Sequence, residues 1–315
     1  MTIFLIVFSL ITIIALLGFL YWRYIWFFRN PLRTIPHGEF IISPADLIVF
    51  SLIMIIAILG FLYWRYIWFF RNPLRTIPHG EFIISPADLI VFSLIMIIAI
   101  LGFLYWRYIW FFRNPLRTIP HGESIISPAD GTVVYVNTVE PYEKIITIKE
   151  GISASINDIA REDLQSHKAL IGIFMSPFDV HYNRAPISGD VKSIVHYPAQ
   201  KENINMGSMH LRTVLNLIPH YKNSLHIIQN ERTITKIDGY YKDMPLTCYV
   251  IQIAGGSVNG IDSFVKEGKY IQRGDIFGMI RIGSQVDIVM PYLEGMQIKV
   301  RPGDKVRAGE TILIE

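Results

Sequence analysis

The chain has 315 residues, of which 51% are hydrophobic, and its formal net charge at pH 7 is only +3. A charge this small does not indicate a nucleic-acid-binding protein, and we expect no nucleic-acid partner. Cys248 is the only cysteine, which excludes an internal disulfide and a multi-cysteine metal site. The histidines also lack metal-ligand spacing, so we expect no metal.

Most of the apolar excess lies in the first third of the chain, in three runs at residues 3–21, 47–64 and 89–106. Each run holds about 18 uncharged residues, close to the length that a helix needs to cross roughly 30 Å of hydrocarbon. We therefore predict N-terminal transmembrane helices. A helix buried inside a soluble protein is the alternative for each run.

The apolar runs belong to a tandem repeat with a 42-residue period. Residues 21–62 recur without change as residues 63–104, and a third copy runs from Tyr105 through Asp130 with one substitution, at Ser124. Repeats in solenoid proteins drift in sequence because only their packing is selected. The near-identity therefore indicates a recent duplication or an error in assembling the gene, and we predict a functional unit of one span and one domain.

Each apolar run is followed by the same segment, YWRYIWFFRNPLR, which we call the collar. Aromatic rings prefer the headgroup layer, arginine clusters mark the cytoplasmic side, and these arginines would attract anionic headgroups. No basic residue precedes the first run, so its amino terminus is predicted to face outward. We thus predict a membrane-anchoring region at 1–112 and a domain at 113–315 on the cytoplasmic side of the cell membrane.

From Ile125 onward the pattern changes to short β-type runs with turn residues between them, such as GTVVYV at 131–136. Two later segments, 264–280 and 298–314, resemble each other, and each places glycines where turns need a positive φ. Such paired units are similar to the barrel-sandwich hybrid folds of lipoyl and biotinyl domains. The predicted fold class is mainly β (α+β), with a barrel-sandwich-hybrid-like domain after the N-terminal helices.

Four motifs follow one another in the second part of the chain. They are FFRNPLRTIP with SPADGTV at 111–133, MSPFDVHYNRAPISGDV at 175–191, NER at 230–232 and RIGSQVDIVMP at 281–291. In this order they resemble the short form of the phosphatidylserine decarboxylase family, which includes archaetidylserine decarboxylases. The resemblance extends over residues 105–315.

The resemblance implies self-cleavage at Gly283–Ser284, although an ordinary β-turn is the alternative for this dipeptide alone. The Ser284 hydroxyl would attack the carbonyl carbon of Gly283, and elimination and hydrolysis would leave a covalent pyruvoyl group at position 284. The chain would become a β fragment of residues 1–283 and an α fragment of residues 284–315. The pyruvoyl ketone would form a Schiff base with phosphatidylserine, or its archaeal ether-lipid equivalent, and accept the electrons released with CO2.

Four further residues are candidates for the site. His181 is the predicted acid or base because an imidazole titrates near neutral pH, with a structural histidine as the alternative. Asp130 is predicted to orient an imidazole or polarise Ser284, or else to cap the turn that follows it. Longer family members carry a second histidine where this chain has Arg184, which cannot act as a base near neutral pH. We predict that Arg184 and its neighbour Asn183 bind the substrate, since the guanidinium matches a phosphate or carboxylate.

Two other functions stay open at the level of sequence. The duplicated glycine turns also suit a membrane-tethered carrier of the lipoyl or biotinyl type, but the turns KEGK at 266–269 and PGDK at 302–305 lack the usual setting of a modifiable lysine. A processed but inactive scaffold is the third possibility. For the enzyme, the expected partners are the membrane phospholipid and the two fragments of one chain, with a homodimer left open.

Overall fold

The computed structural model describes residues 86–140, 146–149, 152–154, 159–160, 167–256, 260–281 and 283–315, together with Ile55, Leu59 and Gly60. The described residues up to Trp110 belong to one compact unit, and those from Phe111 to Glu315 belong to a second. The predicted apolar runs at 3–21 and 47–64 lie outside the described residues, apart from the three single positions named above.

The first unit contains one long apolar helix, α1 (Pro86–Tyr105), which continues as a short π-helix, Trp106–Trp110. Several of its large apolar side chains are exposed, with Ile98 at 67% and Leu101 at 58%, whereas Phe103 is buried. Among the described residues, one stretch, Ile90–Trp110, is long and apolar enough to cross a membrane by its length and composition. It coincides in position with the third predicted apolar run.

The second unit consists mostly of strands, which confirms the predicted mainly β class. In its described part the strands are β1 (Ile125–Ile126), β2 (Gly131–Val139), β3 (Ile146–Lys149), β4 (Ile152–Ala154), β5 (Lys168–Met175), β6 (Tyr182–Arg184), β7 (Gly189–Tyr197), β8 (Arg232–Tyr241), β9 (Met244–Ala254), β10 (Ile261–Ser263), β11 (Tyr270–Ile271), β12 (Ile276–Ile280), β13 (Ser284–Pro291), β14 (Lys305–Val306) and β15 (Ile312–Ile314). Two short helices, α2 (Gly207–Val214) and α3 (His226–Gln229), lie between β7 and β8.

Eight strands form one antiparallel sheet in the order β11-β7-β8-β9-β13-β5-β2-β14. Strand β13 lies near the middle, paired with β5 along its whole length and with β9 on the other side. Side chains alternate between the faces of a strand, so Val286 and Ile288 enter one apolar cluster while Val289 enters another. Because both faces are covered, every residue of β13 except Pro291 is buried.

The two similar glycine-containing segments lie at opposite edges of this sheet. Strand β11 pairs with β7 at Gly189, and β14 pairs with β2 at Gly131. The second turns of the two segments contain Gly274 and Gly309, with φ of 91° and 81°, and a Cβ on either would approach Ile119. The resemblance in sequence thus corresponds to quasi-equivalent positions in the fold. The barrel-sandwich-hybrid assignment itself stays a prediction.

Candidate active site

Gly283 and Ser284 lie where a turn enters β13. Gly283 has a φ of 65°, in the left-handed region that favours glycine. Ser284 is paired with Met175 of β5 and with Ala254 of β9. Its side chain is fully buried, and its Oγ lies 3.6 Å from Sδ of Met175. Strands β5 and β9 therefore hold residue 284 from both sides, whereas residue 283 lies just before the first paired residue of β13.

Arg281 anchors the chain just before this turn. Its Nε and Nη2 atoms donate to the Asp262 carboxylate at 2.9 and 2.6 Å, and its backbone N–H donates to the carbonyl of Gly260 at 3.0 Å. The two charged side chains are only 9% and 14% exposed. The chain is therefore fixed on both sides of Gly283, by an ion pair before it and by the central sheet after it.

Asn183 shares the contact to Met175 with Ser284. Its Nδ2 lies 3.8 Å from the same sulfur atom and 3.5 Å from the carbonyl oxygen of Pro128, both long distances for a hydrogen bond. Its Oδ1 accepts a shorter hydrogen bond, 2.7 Å, from Nε2 of Gln252. Asn183 and Gln252 are fully buried. The structure therefore brings Ser284 and Asn183 together around one methionine.

His181 directly precedes β6 and is fully buried. Its Nδ1 lies 2.9 Å from the carbonyl oxygen of Asp179, and its ring packs on Phe111 with centroids 4.5 Å apart. A carbonyl oxygen can only accept, so Nδ1 carries the proton of the neutral imidazole and Nε2 is the basic nitrogen. The carbonyl of His181 also accepts from the N–H of Ile280 at 3.3 Å, which ties this segment to the strand before Gly283.

Asp130 holds a turn and an arginine. Its carboxylate accepts hydrogen bonds from Nη2 of Arg117 at 2.9 and 2.8 Å, and from the backbone N–H of Ala308 at 2.7 Å. In the quasi-equivalent segment, the N–H of Arg273 donates to Oγ of Ser188 at 2.9 Å in the same way. This correspondence gives Asp130 a role in the fold.

Within the described residues, the hydrogen bonds of the Asp130 carboxylate lead to Arg117 and Ala308 and not to its predicted partners, His181 and Ser284. Arg117 was missed because it belongs to the third collar, which the sequence assigned to the membrane surface. Its side chain is only 5% exposed and also pairs with Glu310 at 3.4 Å. The last arginine of this collar therefore belongs to the second unit.

Arg184 also has protein partners on both of its terminal nitrogens. Nη1 donates to the carbonyl of Gly274 at 2.8 Å, and Nη2 donates to Oδ1 of Asn114 at 2.8 Å. Burial lowers the pKa of the Arg184 guanidinium, and the charge of Arg117 lowers it further. Arg184 therefore joins the turn at Gly274 to Asn114, near the beginning of the second unit.

The face of β13 opposite Ser284 carries a buried polar network. His226 Nε2 donates to Oε1 of Gln285 at 3.0 Å. The Gln285 amide donates to the Tyr135 hydroxyl at 2.6 Å and to Oδ1 of Asp287 at 2.7 Å. The Tyr135 hydroxyl donates in turn to Oδ2 of Asp287 at 2.7 Å. The network thus joins β13 to β2 and to α3.

Burial shifts the titration of these groups in opposite directions. It raises the pKa of Asp287 to about 6, against the hydrogen bonds from Gln285 and Tyr135 and the charge of Arg232. It lowers the pKa of His226 to about 4. Sequence analysis missed the network, although a glutamine and an aspartate inside the otherwise apolar run QVDIVM were a usable signal. Within the described ranges, no cluster of His, Cys, Asp or Glu could hold a metal.

Comparison with known proteins assigns the family. The family model described as phosphatidylserine decarboxylase matches residues 104–314. A protein of Methanothermobacter thermautotrophicus, provisionally named an archaetidylserine decarboxylase proenzyme, is 38% identical over 46% of this chain and 54% of its own length. The phosphatidylserine decarboxylase proenzyme of Streptomyces avermitilis is 36% identical over 45% of this chain and 54% of its own length.

The corresponding proenzyme of Thermobifida fusca is 32% identical over 54% of this chain and 65% of its own length. The chain thus spans about half the length of the first two relatives and somewhat more of the third. The family match covers most of the described second unit, including every motif on which the sequence resemblance rests. The chain therefore belongs to the phosphatidylserine decarboxylase family.

Proposed function

We propose that the protein is a membrane-anchored decarboxylase of phosphatidylserine, or of its archaeal ether-lipid equivalent, that makes its own pyruvoyl group. The observation that carries the proposal is the position of Ser284. Its hydroxyl is buried at the first residue of a central strand, directly after a glycine with a φ of 65°. Family membership supports the reaction, and the relatives' names as proenzymes support the cleavage.

The proposed cleavage uses atoms of the chain itself. Ser284 Oγ adds to the carbonyl carbon of Gly283, the C–N bond breaks, and an ester joins the two residues. Loss of the Ser284 Cα proton breaks the Cβ–O bond, which releases Gly283 as a carboxylate and leaves dehydroalanine at 284. Tautomerisation and attack by water then expel the nitrogen as ammonia and leave the ketone. A glycine at 283 has no side chain to obstruct the attack.

The residues around position 284 fit a small carbonyl-bearing group. The Ser284 hydroxyl contacts a soft sulfur atom at 3.6 Å, so its conversion breaks no strong hydrogen bond. When present, the pyruvoyl group supplies an electron-withdrawing carbonyl for the decarboxylation. Because the two contacts of Asn183 Nδ2 are long, we propose that this N–H turns to the substrate's polar head.

His181 is the proposed acid or base. Its Nδ1–H is fixed on the Asp179 carbonyl, which leaves Nε2 to hold or release a proton. Asp130 is proposed to act as a positioning residue, because it holds the Ala308 turn. Binding of the substrate's phosphate by Arg184 requires exchange of its contact with Asn114.

The fold supports retention of the α fragment after cleavage. Strand β13 is paired on both sides, β14 pairs with β2, and β15 pairs with β1.

A phospholipid with two acyl chains stays in the bilayer, so an anchored domain needs its site at the surface. The apolar stretch Ile90–Trp110 and the arginine-rich collar support anchoring at the cell membrane with residues 113–315 on the cytoplasmic side.

CO2 release tests the proposed reaction. Full-length protein in mixed micelles would be given phosphatidylserine or an archaeal serine ether lipid, both labelled in the serine carboxylate. Release from at least one lipid is expected, with His181→Gln lowering the rate on the order of 10²-fold or more. Cleaved protein that releases no CO2 from either lipid would contradict the decarboxylase and favour the scaffold. A single uncleaved chain carrying a prosthetic group would favour the carrier.

A further inference from the structure

An apolar lobe projects from the second unit at residues 211–218. Its exposed large side chains are Leu211, Val214, Leu215, Leu217 and Ile218, with exposed fractions from 44% to 70%. Monomeric soluble proteins rarely expose so many neighbouring apolar side chains, and such patches mark contact surfaces. We therefore expect a binding partner to cover the exposed side chains of the lobe.

Hydrogen bonds hold the lobe in shape. The Nε atom of Arg212 donates to the carbonyl of Pro219 at 2.7 Å, and the N–H of Leu217 donates to the carbonyl of Arg212 at 2.8 Å. Met209 belongs to α2, which continues into the lobe, and it is fully buried and packs in the apolar cluster with Phe174 and Val289. The lobe is thus fixed to the second unit while its large apolar side chains are exposed.

The charge around the lobe favours an anionic surface. Between Glu202 and Glu231 the sequence has no aspartate or glutamate, whereas Arg212 and Lys222 are both basic. An apolar surface rimmed by basic residues is typical of segments that lie in the interface of an anionic bilayer. This combination favours a lipid surface over a protein partner.

The lobe lies at the end of the central sheet where β13 begins, on the face opposite the Ser284 side chain. The ring of His210, directly before the lobe, packs on Phe174 of β5 with centroids 5.8 Å apart. Phe174 is paired with Gln285, the residue after Ser284. The charge of Asp179 raises the pKa of His210 against the larger effect of burial, so α2 also lies near the turn before His181.

We propose that residues 211–218 insert into the boundary between headgroups and acyl chains of an anionic bilayer. They hold the end of the sheet where β13 begins against the membrane, so that a lipid headgroup reaches Ser284 around that end while its acyl chains stay in the bilayer. This inference rests on the proposed lipid substrate. It assigns to the second unit a membrane contact of its own, separate from the apolar helix of the first unit.

Depth-dependent quenching tests the insertion. Cys248 is the only cysteine and is fully buried, so Leu215→Cys can carry a single environment-sensitive fluorophore. Tyr240→Cys is the matched control, because Tyr240 is 69% exposed but lies at the far end of β8. The near end of β8, at Arg232, is level with Gln285, the residue after Ser284. Full-length protein would be reconstituted into vesicles of phosphatidylcholine and phosphatidylserine containing lipids with nitroxide on the acyl chain.

Strong quenching at position 215 and little at 240 is expected. Equal quenching at both positions, or none at 215 as for a protein-binding lobe, would overturn the proposal. The same labels can be placed in a chain with Ser284→Ala. Failure of self-cleavage therefore leaves the insertion measurable, and failure of insertion leaves self-cleavage measurable.

A substrate comparison gives a second readout. The double variant Leu215→Ser with Ile218→Ser is expected to slow decarboxylation of long-chain phosphatidylserine in vesicles by about tenfold, because two side chains no longer enter the bilayer. The rate on a dispersed short-chain phosphatidylserine should stay unchanged. Equal loss on both substrates, or no loss on either, would overturn the proposal.

Discussion

The two faces of strand β13 treat their polar groups in opposite ways. On one face, the buried Ser284 hydroxyl contacts the sulfur atom of Met175 at 3.6 Å. On the other face, the buried amide of Gln285 makes hydrogen bonds of 2.6 to 3.0 Å to three side chains. Buried polar groups normally have strong partners because leaving them without one is costly. The weakly bonded serine is therefore the candidate for chemistry, and the satisfied network supports the strand.

Removal of the hydroxyl should have the largest effect. Ser284→Ala is expected to abolish cleavage, because no atom remains to attack Gly283, while the free energy of unfolding changes by about 1 kcal/mol or less. Denaturing gel electrophoresis measures the cleavage, and thermal unfolding in detergent measures the stability. Ser208→Ala is the control, since Gly207–Ser208 is another Gly-Ser pair, in which the hydroxyl donates to the carbonyl of Lys222. Normal cleavage of Ser284→Ala would contradict the assignment.

Disruption of the opposite face should act on stability. Gln285→Leu leaves the N–H of His226 and one oxygen of Asp287 buried without that partner, so the free energy of unfolding should fall by about 3 kcal/mol or more. Tyr135→Phe, which removes only one hydroxyl, should cost about 1–3 kcal/mol. Both variants should still cleave at a temperature where they are folded. Loss of cleavage in a fully folded Gln285→Leu protein would show that the faces are not separate.

The pH dependence of stability should separate the two titrating groups of the network. The pKa of Asp287 in the folded protein, about 6, lies above its ordinary 3.8. Its contribution to the free energy of unfolding is therefore present at low pH and is lost as pH rises towards 6. The pKa of His226 in the folded protein, about 4, lies below its ordinary 6.5. Its contribution to the free energy of unfolding is therefore present above pH 6.5 and is lost as pH falls towards 4. Between pH 4 and 6 the two slopes oppose each other in the unaltered protein.

Single substitutions should therefore expose opposite slopes. Relative to the unaltered protein, Asp287→Asn should make the free energy of unfolding rise with pH by on the order of 1.4 kcal/mol per unit between pH 4 and 6. His226→Asn should make it fall by a similar amount. Denaturant unfolding at matched pH values gives both slopes. Slopes of the same sign in the two variants would contradict the burial of these groups.

The ion pair before the turn should give the smallest effect. Arg281→Lys keeps the charge but loses the two-nitrogen contact with Asp262, so we expect a loss of about 1 kcal/mol in the free energy of unfolding. Arg301→Lys is the matched control, because Arg301 pairs with Asp304 while its side chain is 87% exposed. The control should change by less than about 0.5 kcal/mol. Equal effects at both sites would show that Arg281 does not anchor the turn.

Local patterns in the sequence predicted the β class and the resemblance of the two glycine-containing segments. Positive φ at Gly274 and Gly309 follows from turn chemistry, which depends on neighbouring residues. The short β-type run QVDIVM, directly after the Gly-Ser pair, corresponds to strand β13. These features are encoded within a few residues, so no knowledge of the tertiary structure was required.

Contacts between distant segments could not be predicted in the same way. Nothing in the run QVDIVM specifies that Gln285 meets Tyr135 and His226, because strand order and helix placement decide those neighbours. The collar poses the same problem, since its sequence alone does not specify that Arg117, in the third copy, pairs with Asp130. The collar sequence therefore left the environment of that arginine undetermined.

The intact mass of the purified full-length protein under denaturing conditions tests the central claim most directly. Self-cleavage at Gly283–Ser284 predicts two polypeptides, residues 1–283 and residues 284–315, with a ketone in place of the amino group at position 284. That fragment should therefore resist Edman degradation. A single polypeptide with the mass of the whole sequence would contradict the account, because the protein would then have no electrophile for decarboxylation.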